Sequence, residues 1–234
     1  MAAILALCTF AFFIGLDFIL TRRAVARTTK ATQPAFIPAP AMDLEPALEP
    51  VFVAGYELPE QYHYHRGHTW ARVLDHDTVA IGLDDFARRL IGKAKTVSLP
   101  KVGAWLRQGS AAFDVGNGER SAALLAPVEG KVIEVNQEAQ GKASLCTDDP
   151  YRRGWLLKVR SASLADNLRN LMSGRLARRW IEDAREQFEL RLMALSGSVL
   201  QDGGEPAPDF AEHLSDEDWT ALVETFLLTE PEPA

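Results

Sequence analysis

The 234-residue sequence predicts a mainly β domain, a small sandwich or barrel, with an N-terminal transmembrane helix and added C-terminal helices. An apolar run opens the chain, short alternating segments separated by tight turns fill its middle, and apolar residues at helical spacing follow. With 47% hydrophobic residues, the chain can form a substantial core. Two cysteines, Cys8 and Cys146, are too few for a disulfide framework. A net charge of −7 without a basic stripe argues against a nucleic-acid partner.

The N-terminal segment, residues 2–20, is apolar except for Asp17. A helix of this length, at about 1.5 Å per residue, nearly spans a hydrocarbon core of roughly 30 Å. No Lys or Arg precedes Arg22, whereas a secretory signal starts with basic residues. We therefore predict a transmembrane anchor over 1–22, with a cleaved signal peptide or a buried core helix as the alternatives. The basic residues that follow predict a single-pass topology with the soluble domain in the cytoplasm.

Residues 23–61 read as a proline-rich linker, since five prolines fall between residues 28 and 50. Proline lacks a backbone donor and disfavours helix, so the segment is expected to be extended. A ligand for proline-recognition domains is the alternative, but no PxxP flanked by basic residues is present.

Strands are predicted throughout 62–160. They fall at 68–75, 78–83, 95–100, 111–115, 121–125, 131–136 and 154–160, with a short helix over 84–92 that ends at Gly92. Asn117-Gly118 predicts a hairpin with a type I′ turn, in which both central residues have positive φ.

The C-terminal part is predicted to be helical. An amphipathic helix is expected over 161–198, where Gly174 is a point of bending or breakage, and its arginines lie largely off the apolar face. Residues 199–234 form an acidic tail, with ten Asp or Glu and no Lys or Arg from 201 onward, and a short helix that Ser215 can cap. The long helix packs on the sandwich or faces a partner or anionic lipid.

The order of several motifs in 62–160 resembles that of the glycine cleavage system H protein family. The matching segments are His68-Thr69-Trp70, residues 79–83 (VAIGL), residues 97–103 (VSLPKVG), residues 126–132 (APVEGKV), Val135-Asn136 and residues 149–156 (DPYRRGWL). Each segment alone is weak evidence for the family, but six matching segments in the same order over about 100 residues are a specific signal. The resemblance implies a lipoyl-domain-like barrel-sandwich hybrid.

Family members carry lipoate on a lysine at a hairpin tip, and the arm transports an aminomethyl group between enzymes. Counting back without a gap from Pro127 places that lysine position at Glu119, with Arg120 next. No lysine lies between Lys101 and Lys131. A carboxylate or a guanidinium cannot form the amide to lipoate. The sequence therefore predicts a degenerate member without a bound cofactor.

Other candidate sites have simpler interpretations. His63, His65 and His68 lack a nearby cysteine that would complete a zinc signature, so we interpret them as ordinary histidines on an exposed strand edge, not as a metal site. Asp84 and Asp85 are expected to cap the short helix. The sequence contains no serine-nucleophile signature, P-loop or dinucleotide-binding motif that would indicate an enzyme.

The favoured function is a membrane-anchored, non-lipoylated binding or scaffold module with a protein partner. The expected partner-binding residues lie at the hairpin tip and on the last helix: Asn117, Gly118, Glu119, Arg120, Trp219 and Phe226. One alternative is a working H protein that carries the aminomethyl group on lipoate. Another is a membrane-fusion-type adaptor, which would place its domain on the opposite side of the membrane.

Overall fold

The computed structural model describes residues 51–196 and 210–228. The predicted anchor over 1–22, and with it the predicted topology, lies outside these residues, as does most of the linker. Within the described residues, no helix combines the length and the apolar character needed to cross a bilayer.

Eleven strands of the described residues form three antiparallel sheets. The strands are β1 (Phe52–Val53), β2 (Tyr56–Glu57), β3 (His63–Tyr64), β4 (Thr69–Val73), β5 (Thr78–Leu83), β6 (Thr96–Ser98), β7 (Trp105–Leu106), β8 (Ala111–Gly116), β9 (Ser121–Leu125), β10 (Gly130–Val135) and β11 (Leu157–Arg160). A six-stranded sheet has the order β3-β4-β5-β11-β10-β7, a three-stranded sheet the order β6-β8-β9, and β1 pairs with β2. The predicted mainly β architecture is confirmed.

Helices surround these sheets. They are α1 (Asp85–Ile91), α2 (Gln137–Gly141), α3 (Leu145–Asp148), α4 (Leu164–Arg169), α5 (Gly174–Ser196), a 3₁₀ turn (Phe210–His213) and α6 (Asp216–Leu227). As predicted, Asp84 caps α1 by accepting a hydrogen bond from the N–H of Ala87 at 2.8 Å, and Gly92 ends it with a φ of 78°.

The linker prediction extends too far. Residues from 51 onward belong to the folded domain, where β1 and β2 form a hairpin. The hairpin is held because the ring of Tyr56 packs 5.3 Å from that of Phe86 and beneath the guanidinium of Arg89 at 4.6 Å. Burial of Tyr56 and Leu58 accounts for the early start of the domain, which proline content alone did not indicate.

The single helix predicted over 161–198 is two helices, α4 and α5. Met172 leaves the helical path because its N–H and carbonyl both bond to the backbone of Tyr64, at 2.8 Å each. Gly174 then starts α5 with a φ of 53°, a conformation that costs glycine little. The break changes the phase of the apolar face: Leu176 is 62% exposed, whereas Ala177 and Ile181 are buried.

The last helix packs on its own domain. Its buried residues are Trp219, Leu222, Val223, Phe226 and Leu227. Phe226 joins an aromatic cluster in which its ring lies 5.2 Å from that of Phe86 and 5.6 Å from that of Phe188. The indole N–H of Trp219 donates to the carbonyl of Leu90 at 2.9 Å. The C-terminal helix therefore completes the core beside α1 and α5.

Candidate functional site

The hairpin between β8 and β9 presents the four residues of the expected site at its tip. Gly116 pairs with Ser121, so residues 117–120 form the loop. The N–H of Asn117 donates to the carbonyl of Arg120 at 3.0 Å. The Asn117 side-chain oxygen accepts from the N–H groups of Glu119 and Arg120, at 3.1 and 3.0 Å. These bonds hold the tip in one conformation.

The turn is not of type I′. A type I′ turn needs two consecutive residues with positive φ, but Gly118, with a φ of 103°, is the only residue of the 117–120 loop that has one. The side chain of Asn117 replaces the predicted backbone pattern by bonding two N–H groups of the loop. The hairpin prediction is confirmed and its turn type is wrong.

Glu119 and Arg120, neighbours at the tip, have different environments. Glu119 is exposed, whereas the Arg120 side chain is only 14% exposed. The Arg120 guanidinium donates to Asp216 Oδ1 at 2.7 Å, to the Leu214 carbonyl at 2.7 Å and to the Ala211 carbonyl at 3.2 Å. Glu119 is therefore free to contact a partner, while Arg120 is committed to the chain's own C-terminal segment.

The C-terminal segment sits directly against the hairpin. Besides the Arg120 bonds, α6 packs against β9, and the Arg120 guanidinium lies 5.7 Å from the centre of the Trp219 ring. A Cβ on Gly67 would come within 2.8 Å of the Leu227 carbonyl, which shows how closely the end of α6 approaches. The C-terminal segment therefore covers the surface next to β9.

Trp219 and Phe226, both expected to bind a partner, are buried in this structure, at 4% and 6% exposure. The exposed part of the expected set is the tip, where Asn117 is half-buried and Gly118 and Glu119 are exposed. The structure thus separates the six predicted residues: Asn117, Gly118 and Glu119 lie at the surface of the tip, Arg120 contacts the C-terminal segment beside Trp219, and Phe226 lies in the core.

Lys95 is a residue of this site that the sequence analysis missed. It precedes β6, which pairs with β8, and its N–H donates to the carbonyl of Gly116 at 2.8 Å. A Cβ on Gly118 would lie 3.2 Å from Lys95 Cδ and 4.0 Å from its Nζ. The side chain is exposed. A primary amine therefore lies beside the tip, delivered by a neighbouring strand, and only the pairing of β6 with β8 could have revealed it.

The three histidines of 63–68 have different environments: His68 is buried, contrary to the sequence interpretation, whereas His63 and His65 are half-buried, and His63 lies on β3, an edge strand of the six-stranded sheet. His68 is 1% exposed, with Asp84 Oδ2 2.8 Å from its Nδ1. His65 Nδ1 accepts from the N–H of Gly67 at 3.0 Å, and burial lowers the pKa of His63. Packing of α5 and α6 over this region accounts for the burial. Among the described residues, no cluster of His, Cys, Asp and Glu has the geometry of a metal site.

The comparisons with known proteins agree with this fold. The family model of the glycine cleavage H-protein matches residues 62–184. The probable glycine cleavage system H protein of Thermococcus gammatolerans is 32% identical over 130 residues, which cover 56% of this chain and 96% of that protein. The glycine cleavage system H protein of Mycobacterium avium is 38% identical over 109 residues, or 47% of this chain and 83% of that protein.

A solved structure also aligns with part of the chain. The crystal structure of a glycine cleavage system H protein from Mycobacterium marinum aligns with a TM-score of 0.46 and 24% identity over 54% of this chain and 98% of that chain. Glycine cleavage H proteins are carriers and not catalysts, in agreement with the expectation that the chain is not an enzyme. Since the family model matches more than half of the sequence, the chain belongs to the glycine cleavage H-protein family.

Proposed function

We propose that this chain is a non-lipoylated H-protein relative that acts as a membrane-anchored binding or scaffold module for a protein partner. The observation that carries the proposal is the hairpin tip: the position expected for the lipoyl lysine is Glu119, and its neighbour Arg120 holds the C-terminal segment. A carboxylate offers no amine for the amide bond to lipoate.

The partner surface is the exposed tip, with Gly118 and Glu119 at its centre. The Asn117 bonds fix the loop, so a partner meets a preformed surface and little conformational entropy is lost on binding. The carboxylate of Glu119 favours a partner with a basic patch. The names of the relatives point to components of glycine cleavage as the first partners to test.

The anchor rests on the sequence alone. Residues 2–20 are apolar apart from Asp17 and nearly long enough to span a bilayer, and the basic residues after them favour a cytoplasmic domain. Extraction of membranes with alkaline carbonate and protease protection of the domain in inverted vesicles test both statements. A domain protected only in right-side-out spheroplasts supports the cytoplasmic location. A domain cleaved in spheroplasts would instead favour the membrane-fusion-type adaptor.

A working aminomethyl carrier is a second candidate, because Lys95 places an exposed amine beside Gly118. In this alternative Lys95 would take the lipoyl group that the tip residue cannot hold. The two candidates make opposite predictions about the mass of the purified protein.

The deciding experiment is intact-mass measurement after co-expression with a lipoate ligase. We expect the wild-type chain to remain unmodified and the Glu119→Lys variant, which restores the amine at the tip, to gain one lipoyl group. A wild-type adduct that Lys95→Arg abolishes would overturn the non-lipoylated proposal in favour of the carrier. A wild-type adduct that persists in Lys95→Arg would overturn both candidates, because the lipoyl group would then be attached neither at the tip nor to Lys95.

A further inference from the structure

A cavity of about 470 Å³ lies between α5, the end of α6 and the loop that joins β3 to β4. Its size is in the range of sites for one small molecule. It borders the C-terminal end of α6, whereas Arg120 binds Asp216 at the opposite end of that helix. The cavity is therefore separate from the hairpin tip.

One wall of this cavity contains a buried histidine with an available nitrogen. Asp84 Oδ2 lies 2.8 Å from Nδ1 of His68 and so holds the proton there. Asp84 is itself fixed, because its other oxygen accepts from the Ala87 N–H. The ring stacks on Phe86 at 4.1 Å and packs against Trp180 at 4.6 Å.

Within the described residues, no group bonds Nε2 of His68, although its side chain is only 1% exposed. Because the two ring faces and Nδ1 have neighbours, the edge that carries Nε2 is the part of the imidazole left to face the cavity. His68 also has a φ of 58°, a conformation that non-glycine residues seldom adopt. With the proton held on Nδ1, Nε2 of His68 is a hydrogen-bond acceptor at the edge of the cavity.

The charges at the cavity favour an anion. Two guanidinium groups and one carboxylate line it, from Arg66, Arg179 and Asp183, which leaves an excess of one positive charge. Arg179 lies 3.5 Å from Asp183 on its own helix. Arg66 is exposed and forms no ion pair with any residue of 51–196 or 210–228. Arg66 is thus the cation available to a ligand.

The rest of the lining is largely apolar. Met172, Leu176, Trp180 and Phe226 form a surface for a hydrocarbon or aryl group. An indole and a phenyl ring bind such groups through large, rigid contact areas. The cavity therefore combines an apolar wall with Arg66 and His68 Nε2 as polar contacts.

We propose that this cavity binds a small monocarboxylic acid with an apolar body. Its carboxylate pairs with Arg66, and its apolar part packs on Trp180 and Phe226 beside the His68 ring. A single carboxylate matches the single excess charge, and a charge-assisted hydrogen bond to a guanidinium is the strongest contact that the site can supply. The proposal is independent of the lipoylation state of the chain.

The test is calorimetric titration of the full-length chain in a mild detergent with 3-phenylpropionate, subtracting the titration of detergent alone. The matched probe 3-phenylpropylamine carries the opposite charge on the same apolar body. We expect one-to-one binding of the acid, no binding of the amine and a shift of the His68 imidazole nitrogen resonances. Arg66→Gln should weaken acid binding about tenfold, as expected for the loss of one charge-assisted hydrogen bond.

Arg169→Gln is the matched control, because Arg169 is an exposed arginine on α4 that pairs only with Asp166 among the described residues. Equal affinities for acid and amine would overturn the proposal, as would an unchanged affinity in Arg66→Gln. Absence of acid binding up to about 10 mM would also overturn it, since such an affinity corresponds to less than about 3 kcal/mol.

Discussion

Trp70 and Gly82 are cross-strand partners on β4 and β5, and the indole of Trp70 lies over the bare backbone of Gly82. A Cβ on Gly82 would come within 2.6 Å of Trp70 Cζ2. The indole cannot move freely, because it is fully buried, donates to the Leu83 carbonyl at 2.7 Å and contacts the Tyr62 ring edge-on at 4.9 Å. Two of the family motifs thus meet in one contact.

Gly82→Ala is therefore expected to lower the free energy of unfolding by about 1–3 kcal/mol, the usual cost of overpacking a core. The measurement is urea denaturation followed by tryptophan fluorescence. Gly141→Ala is the matched control, because a Cβ there meets nothing within 4 Å. It should be neutral or slightly stabilising, since alanine favours a helix over glycine. Equal effects of the two substitutions would contradict this account of the motif.

Replacement of Arg120 by Ala should release the C-terminal segment from the hairpin. The guanidinium contacts two backbone carbonyls and Asp216, and the loss should cost about 1–3 kcal/mol. Hydrogen exchange in residues 210–228 should rise, while exchange in β4 and β5 stays unchanged.

Asp216→Asn serves as the control for Arg120. The Asp216 side chain is 87% exposed, so its ion pair contributes less than about 1 kcal/mol and exchange should change little. If Asp216→Asn raises exchange in residues 210–228 as much as Arg120→Ala does, the contacts of Arg120 with the Ala211 and Leu214 carbonyls do not hold the C-terminal segment.

Trp219→Phe keeps most of the aromatic volume but removes the N–H that bonds the Leu90 carbonyl at 2.9 Å. A buried carbonyl left without a donor costs about 1–3 kcal/mol, and denaturation should show a loss in that range. Thr220→Ala on the exposed face of α6 removes only a bond to the Asp216 carbonyl and should change stability by less than about 0.5 kcal/mol. A smaller loss in Trp219→Phe than in Thr220→Ala would exclude this role for the indole.

The stability of the domain should fall in mild acid because of His65. Burial, together with the electrostatic influence of His68 and Arg66, lowers the pKa of His65 to about 4, from an ordinary value of 6.5. Below pH 6.5 the unfolded chain therefore binds a proton at His65 that the folded chain does not bind. The stabilisation of the folded state by neutral His65 is complete above pH 6.5 and is lost as the pH falls toward 4. Protonation also removes the acceptor for the Gly67 N–H.

Urea denaturation at several pH values between 6.5 and 4 measures this contribution. His65→Asn supplies a neutral acceptor and should flatten the profile. His76→Asn should not, because His76 is exposed and its pKa is raised by Asp75 and Asp77. A profile with the same slope in His65→Asn would assign the acid sensitivity to other groups.

Local patterns in the sequence predicted most strands, the cap of α1 and the tip hairpin, because each depends on residues close together in the chain. The break between α4 and α5 depends on Met172 bonding to Tyr64, a contact that no local pattern reports. Lys95 and Gly118 likewise meet only through sheet pairing. Burial of Trp219 and Phe226 could not be distinguished from a partner interface, because an amphipathic helix has the same pattern in both situations.

The position of α6 in the chain also bears on how the protein is made. Every strand that the structure describes precedes α6 in sequence, so a ribosome delivers both large sheets before it delivers the residues that cover β9. Until then the nascent domain displays an uncovered apolar strip next to the hairpin, which chaperones or a modifying enzyme can reach. A premature stop codon before residue 216 would leave that strip permanently open and would expose the truncated product to aggregation and proteolysis.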